Sequence, residues 1–220
     1  MNSFKILLGI FIVSLIWNCK KEASHSIPVE KLNEKGDETE LKSGDIIFQT
    51  SLSDQSKAIK KATYSSYTHC GLILKKDEKF WVLEAVQPVK FTPLDVWINN
   101  GENGHFVVKR LKEFDAYLNP TVLAEMQNRG QEFLGKNYDL TFEWSDDKIY
   151  CSELIWKIYH RTTGLEVGKL QKLKDFNLKD EEVKQKLSER YGQAIPLEET
   201  VISPQSIFES ELLETIISKN

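Results

Sequence analysis

The 220-residue chain is poor in the residues that build metal centres. It has only three cysteines, Cys19, Cys70 and Cys151, and four histidines. None of them falls into a C-x-x-C or H-E-x-x-H spacing, so neither a metal nor an organic cofactor is expected. Basic residues are not in excess: 29 Lys and Arg stand against 33 Asp and Glu, a net charge of −4. Nucleic-acid binding calls for a basic face, and this balance argues against one. The densest local cluster, Lys57, Lys60 and Lys61, reads as a solvated helix face. Internal repeats and low-complexity tracts are missing. So is an apolar run of the ~20 residues that a membrane-spanning helix needs.

What is present suits one ordinary globular domain, with 40% hydrophobic and 28% charged residues. The N-terminus differs from the rest. Lys5 precedes Ile6 to Trp17, apolar apart from Gly9 and Ser14, and the run ends in Asn18-Cys19-Lys20-Lys21. A short basic segment, a short apolar run and a cysteine followed by polar residues resemble a bacterial lipoprotein signal. Residues 1–19 are therefore expected to be an export signal, with Cys19 lipidated as the first residue of an exported, membrane-anchored protein of a bacterial cell envelope. Trp17 and Asn18 depart from the small residues usual before such a cysteine. Residues 20–41 are rich in Lys, Glu, Ser and Asn and read as a flexible tether. Residues 42–220 are the expected folded domain.

Within that domain Ile46 to Phe48 reads as a short buried strand after the turn Ser43-Gly44-Asp45. Ser53 to Ser56 offers an N-cap for a helix ending near Thr63. Thr68 to Leu74 and Phe80 to Val86 form an antiparallel hairpin, followed by strand candidates at Val89 to Phe91 and Phe106 to Leu111. Pro93 to Trp97 is a helical turn with an early proline. Helical spacing recurs over Pro120 to Phe133, Tyr150 to His160 and Leu178 to Tyr191. A last helix is expected from Ser203-Pro204, packing Ile207, Phe208, Leu212 and Ile216 on the core. The sum is an α+β fold, with strands clustered early and helices late.

The hairpin carries the first chemistry. Pairing Lys75 with Glu78 would set His69 opposite Glu84; pairing Lys76 with Lys79 would set Gly71 there, with His69 diagonal. In either register His69, Gly71, Val82 and Glu84 share one face, and Cys70, Leu72, Trp81, Leu83 and Ala85 the other. Both faces are largely apolar, so the sheet is expected to be covered on both sides. A carboxylate and an imidazole on such a face are costly unless they satisfy each other. A purely structural His–Glu pair and a catalytic one both remain open. Cys151 lies between the loop-like Asp146-Asp147-Lys148 and the helical stripe starting at Ser152, at a helix N-terminus. Free N–H groups there favour a thiolate and can hold an oxyanion. The competing reading is a buried cysteine packed as a small hydrophobe. His25, His105 and His160 read as non-catalytic. Trp81, Trp97, Trp144 and Trp156 read as core, with Trp144 a candidate to shape a groove.

Nothing in the spacing brings Cys151 to His69; a resemblance does. Gly44-Asp45-Ile46-Ile47-Phe48, Tyr67-Thr68-His69-Cys70-Gly71-Leu72, Val82-Leu83-Glu84-Ala85 and Tyr150-Cys151-Ser152-Glu153-Leu154 occur in that order, with Tyr138-Asp139 upstream of the cysteine. Together they resemble the YaeF/YiiX-type permuted papain-like amidases of the NlpC superfamily, over roughly Leu41 to Leu165. The resemblance implies a circularly permuted papain-like fold, an antiparallel sheet packed against helices, with the histidine strand before the cysteine helix. It implies Cys151 as nucleophile, His69 as base and then acid, and Glu84 as the polar third member. Tyr67 and Tyr138 are candidates to line the cleft. Cys70 departs from the usual small or aliphatic residue; its face points away from His69, so it reads as core. The implied substrate is an amide or peptide bond, such as cell-wall peptide. The same site would also suit an ester or acyl group on a lipid, and a non-catalytic binding module is the third reading.

Overall fold

The structure, a computed structural model, describes residues 41–219. The export signal, Cys19 and the tether up to residue 40 lie outside the described residues. Leu41, at the end of the expected tether, is buried beside Ile47 and Ile73, so the packed part includes it.

In chain order the elements are β1 (Ile46–Gln49), α1 (Asp54–Thr63), β2 (His69–Lys76), β3 (Lys79–Glu84), β4 (Lys90–Pro93), α2 (Leu94–Asn99) and β5 (Phe106–Leu111). Then follow α3 (Phe114–Tyr117), α4 (Pro120–Phe133), β6 (Asn137–Tyr138), β7 (Lys148–Ile149) and α5 (Cys151–Thr163). The C-terminal part adds β8 (Gln171–Lys172), α6 (Glu181–Tyr191), β9 (Thr200–Val201), α7 (Pro204–Phe208) and β10 (Leu213–Lys219). The main sheet has six strands in the order β10-β5-β1-β2-β3-β4, all neighbours antiparallel. The α+β reading of the sequence therefore holds.

Both faces of the sheet are covered, as the near-continuous apolar strands require. On one face Cys70, Leu72, Leu74, Leu83 and Ala85 join the main core with α4 and α5. On the other, Ile47, Ile73, Val82 and Val108 pack with Leu94, Trp97 and Ile98 of α2. The β2–β3 turn has Asp77 and Glu78 both in the left-handed region, at φ 50° and 60°, the twist that suits a two-residue hairpin. It pairs Lys76 with Lys79, and the register runs on to Leu72 opposite Leu83. Of the two registers allowed by the sequence, this is the one that puts His69 diagonal to Glu84. Gly71 is the next residue in line with Glu84; a Cβ there would stand 2.2 Å from Val82 Cγ1. Only glycine leaves the room that Val82 uses.

The C-terminal expectation needs correction. The helix starting at Pro204 stops at Phe208, and Leu213 to Lys219 forms an edge strand paired with β5. Ile216 and Ile217 are β-branched and fit a pleated surface better than a helix end. The basic cluster on α1 is partly paired: Lys61 lies 3.4 Å from both Asp180 and Glu182, tying α1 to the start of α6.

Candidate active site

The sheet presents its charged pair at the end of β2. His69 Nε2 is 2.7 Å from Glu84 Oε2. The carboxylate is fully engaged: Trp97 Nε1 donates to Oε2 at 2.9 Å, and the Thr92 hydroxyl donates to Oε1 at 2.5 Å. The Trp97 ring also stacks on the His69 imidazole, centroids 5.7 Å apart at 24°. Burial pushes the Glu84 carboxyl up, but the bonds from His69 and Thr92 and the charge of His69 outweigh it, and the net shift is down. Glu84 is therefore an ionised group held in one orientation.

The other ring nitrogen of His69 faces Cys151. With Nε2 occupied by Glu84, Nδ1 is left to meet the Cys151 sulfur. Burial disfavours the imidazolium, yet the hydrogen bonds and charges of Cys151 and Glu84 raise His69 to about 10. Cys151 moves the opposite way, well below an ordinary thiol. The Cys70 thiol donating to it acts most strongly; burial opposes; the bond and charge of His69 and the Cys70 backbone N–H add to the lowering. The two together are a thiolate–imidazolium pair.

Cys70 lies in the core, as expected, and also reaches the site. Alternation along β2 does turn it away from His69, but that face is the one α5 packs on, so its thiol meets Cys151. Burial and the Cys151 charge push the Cys70 thiol up, so it stays protonated and donates. Both cysteines are buried and unpaired by a disulfide.

Cys151 is the first residue of α5, and its N-cap, Tyr150, makes no side-chain cap. The first-turn N–H groups are therefore not claimed by the capping residue. Glu153, three residues after the cap, pairs instead with Lys157 Nζ at 2.7 Å. Ser152 donates to the Ile202 carbonyl at 2.8 Å, pinning the helix start to the C-terminal segment.

The two candidate tyrosines separate. Tyr138 lines the cavity beside Cys151, and its hydroxyl accepts from Gln55 Nε2 at 2.9 Å. Burial, then the Cys151 charge, pushes its phenol up, so it remains a proton donor. Tyr67 instead stacks on Phe208 at 4.2 Å and on His105 at 6.0 Å, in an aromatic group with Phe48. His160 stacks on Trp156 at 4.6 Å, and Trp144 packs on Trp156 edge-on. Sequence reasoning missed Thr92, Trp97 and Gln55 at the site. One signal was available for Thr92: β4 pairs it with Val82, which puts it on the face of Glu84 by alternation.

Residues 40–217 match the family described as "Permuted papain-like amidase enzyme, YaeF/YiiX, C92 family". The chain is 50% identical over 173 residues to YiiX of Escherichia coli K12, an uncharacterized protein, covering 79% of this chain and 84% of the relative. A crystal structure of YiiX from Escherichia coli O157:H7, described as a metalloprotein, superposes with a TM-score of 0.77 at 48% identity, covering 81% of this chain and 97% of that one. Among the described residues of this chain no three His, Cys, Asp or Glu side chains stand together as metal ligands. The nearest set, Cys70, Cys151 and His69, has its donors turned on one another and on Glu84. The residues present do not fit a metal ion.

Proposed function

Because the chain belongs to the permuted papain-like amidase family of YaeF and YiiX, we propose that it hydrolyses an amide bond by acyl transfer through Cys151, His69 and Glu84. The Cys151 thiolate attacks the carbonyl carbon. The oxyanion forms at the uncapped start of α5, and Tyr138, whose hydroxyl oxygen already accepts from Gln55, keeps its proton to donate there. His69 Nδ1–H passes its proton to the departing amine as the C–N bond breaks and a thioester forms on Cys151. Water then attacks the thioester, His69 takes a proton from it, and the acid leaves as the thiolate is restored. Glu84 holds the ring and its charge throughout, with Thr92 and Trp97 fixing the carboxylate.

The observation that carries this reading is the unbroken chain from Cys151 through His69 to a doubly anchored Glu84. The test is amide hydrolysis by the full-length protein on peptide and N-acyl p-nitroanilides, with purified wall muropeptides alongside. Turnover abolished by Cys151→Ala and by His69→Ala, with an acyl mass trapped on Cys151, is the expected result. Undiminished turnover in Cys151→Ala would sink it.

The N-terminal sequence supports a second part of the proposal, that the domain is exported and held at a bacterial membrane by a lipid on Cys19. Labelled palmitate should enter the wild-type chain and be lost in Cys19→Ala; equal labelling of both would overturn it. No helix among the described residues is long and apolar enough to cross a membrane.

A further inference from the structure

The Cys151 sulfur meets one residue in two ways: both the backbone N–H and the thiol of Cys70 donate to it. Cys70 stands near the start of β2, on the face that α5 covers, and Cys151 is the first residue of α5. A disulfide needs its two Cα atoms close together and its side chains converging. A sulfur within hydrogen-bond reach of the other residue's own backbone N–H meets the first condition, and two thiols in contact meet the second. Closing a bond between them takes side-chain movement and leaves β2 and α5 packed as they are.

Access to the two sulfurs differs. Cys70 is 0% exposed and Cys151 3%. Of the two, only Cys151 lines the opening by which a small molecule reaches the start of α5. An oxidant therefore arrives at Cys151, and the thiol already touching that sulfur is Cys70. Reactivity is divided in the same sense. The thiolate is the form that oxidants attack. Cys151 carries it, while Cys70 keeps its proton. Part of what holds that proton is the charge on Cys151. Oxidation of Cys151 to a neutral sulfenic acid removes this part, so the first oxidation prepares the second thiol to react.

We propose that Cys70 is the resolving thiol of Cys151: with a peroxide as oxidant, the two close to an intramolecular disulfide that turns the site off reversibly and spares Cys151 from irreversible oxidation. The Cys151 thiolate attacks one peroxide oxygen and the O–O bond breaks. A sulfenic acid and hydroxide form, and the hydroxide takes the His69 proton and leaves as water. The Cys70 sulfur then attacks the sulfenic sulfur, the S–O bond breaks, and the hydroxyl leaves as water with the Cys70 proton. Each sulfur gives up one electron, and the peroxide takes both. A dithiol reductant reverses the change by exchange. The step needs the Cys151 thiolate and no amide hydrolysis, so it stands apart from the proposed function.

The test uses the full-length protein, reduced, freed of reductant and treated with hydrogen peroxide. Non-reducing tryptic maps should show the Cys70 peptide joined to the Cys151 peptide, two hydrogens lighter than the separate pair. Iodoacetamide should then fail to label Cys151, and dithiothreitol should restore the labelling. Cys70→Ser keeps a donor to the thiolate and lacks the second sulfur. Under the same peroxide its Cys151 should run on to sulfinic and sulfonic acids, which dithiothreitol does not reverse. Dimedone, which traps sulfenic acids, should mark Cys151 in Cys70→Ser far more than in wild type. Labelling of Cys151 by iodoacetamide at acid pH before peroxide shows that the variant has folded with its thiolate in place. Equal loss of Cys151 to sulfinic acid in both proteins overturns the proposal. So does a disulfide from Cys151 to Cys19 or to a second chain, and so does a Cys151 untouched by peroxide. Joined peptides in a protein without amide turnover would leave the disulfide standing and count against the hydrolase alone.

Discussion

Glu84 and His69 stand on adjacent strands, one step off direct pairing, with Oε2 2.7 Å from Nε2, and Trp97 both donates to that carboxylate oxygen and stacks on that imidazole. One side chain thus fixes both members. In the proposed reaction the carboxylate does not react; it orients the ring and favours its charged form. Glu84→Gln should lower kcat/KM, but less than Cys151→Ala or His69→Ala. Trp97→Phe keeps the ring and removes one of three hydrogen bonds to Glu84. It should cost about tenfold in kcat, since a hydrogen bond to a charged group is worth roughly 1.5–3 kcal/mol. Steady-state kinetics check both. Glu84→Gln matching wild type would reduce the pair to a structural one.

The thiolate–imidazolium pair predicts the pH range of reactivity. Cys151 lies well below an ordinary thiol and His69 is raised to about 10, so the charged pair exists between those limits. Alkylation of Cys151 by iodoacetamide, followed on its own peptide by mass spectrometry, should persist below pH 6, where an ordinary thiol of pKa ~8.5 is almost wholly protonated. In His69→Ala the rate at pH 6 should fall at least tenfold. Identical profiles in the two proteins would mean that His69 does not hold the thiolate.

How much of this was legible in the sequence follows from how local each signal is. Alternation in β2 and β3 put His69 and Glu84 on one face in either register, so that pair needed no tertiary information. The register itself needed the turn geometry at Asp77 and Glu78. Cys151 at a helix start was readable from the switch in pattern at Ser152, but its meeting with His69 came only from the family resemblance. Trp97 and Thr92 reach Glu84 through the packing of α2 and β4, which no spacing records. Cys70 was read as core on the correct face, but its contact with Cys151 was not legible, because the sequence does not say which helix covers that face. The last strand was read as a helix because Ile207, Phe208, Leu212 and Ile216 have helical spacing; pairing with β5 overrode it.

Cys70 is therefore open to a direct test. Its thiol donates to the Cys151 sulfur, and it is the strongest influence lowering that group. Cys70→Ser keeps a donor and should leave the alkylation profile of Cys151 near wild type. Cys70→Val fills similar space without a donor and should move the profile to higher pH. A Val variant indistinguishable from the Ser variant would assign the lowering to His69 and the helix start alone.

Gly44-Asp45, part of the motif that carries the family resemblance, serves the frame rather than the site. Asp45 is fully buried and takes a two-pronged contact from Arg110, Nε to Oδ1 at 2.7 Å and Nη2 to Oδ2 at 2.8 Å. It also accepts from the Lys42 backbone N–H at 2.8 Å. Arg110→Met leaves a buried carboxylate without its cation and should cost about 3–5 kcal/mol of stability. Adding Asp45→Asn removes the stranded charge and keeps an acceptor for Lys42, so the double variant should recover a good part of the loss. Urea unfolding of the two single variants and the double checks this. A double variant as unstable as the sum of both singles would show that the pair does not act as a unit.

Glu153 gives the fold a pH dependence of its own. It is completely buried; burial pushes its carboxyl up, Lys157 and the Tyr150 N–H pull it down, Asp139 pushes it up again, and the result is about 8. The ordinary value is 4.5. Between those two values the folded chain holds a proton that the unfolded chain has released. Stability contributed through this group is therefore present at low pH and falls as pH rises from about 4.5 to about 8, with a slope approaching ~1.4 kcal/mol per pH unit. Glu153→Gln keeps the shape of the side chain and cannot ionise. Every other titrating group is common to both proteins, so the difference between their urea-unfolding free energies isolates Glu153. The Gln variant should gain on wild type steadily from pH 5 to pH 8 and hold a constant advantage above it. Parallel curves over that range would mean that Lys157, 2.7 Å away, keeps Glu153 ionised in the folded state throughout.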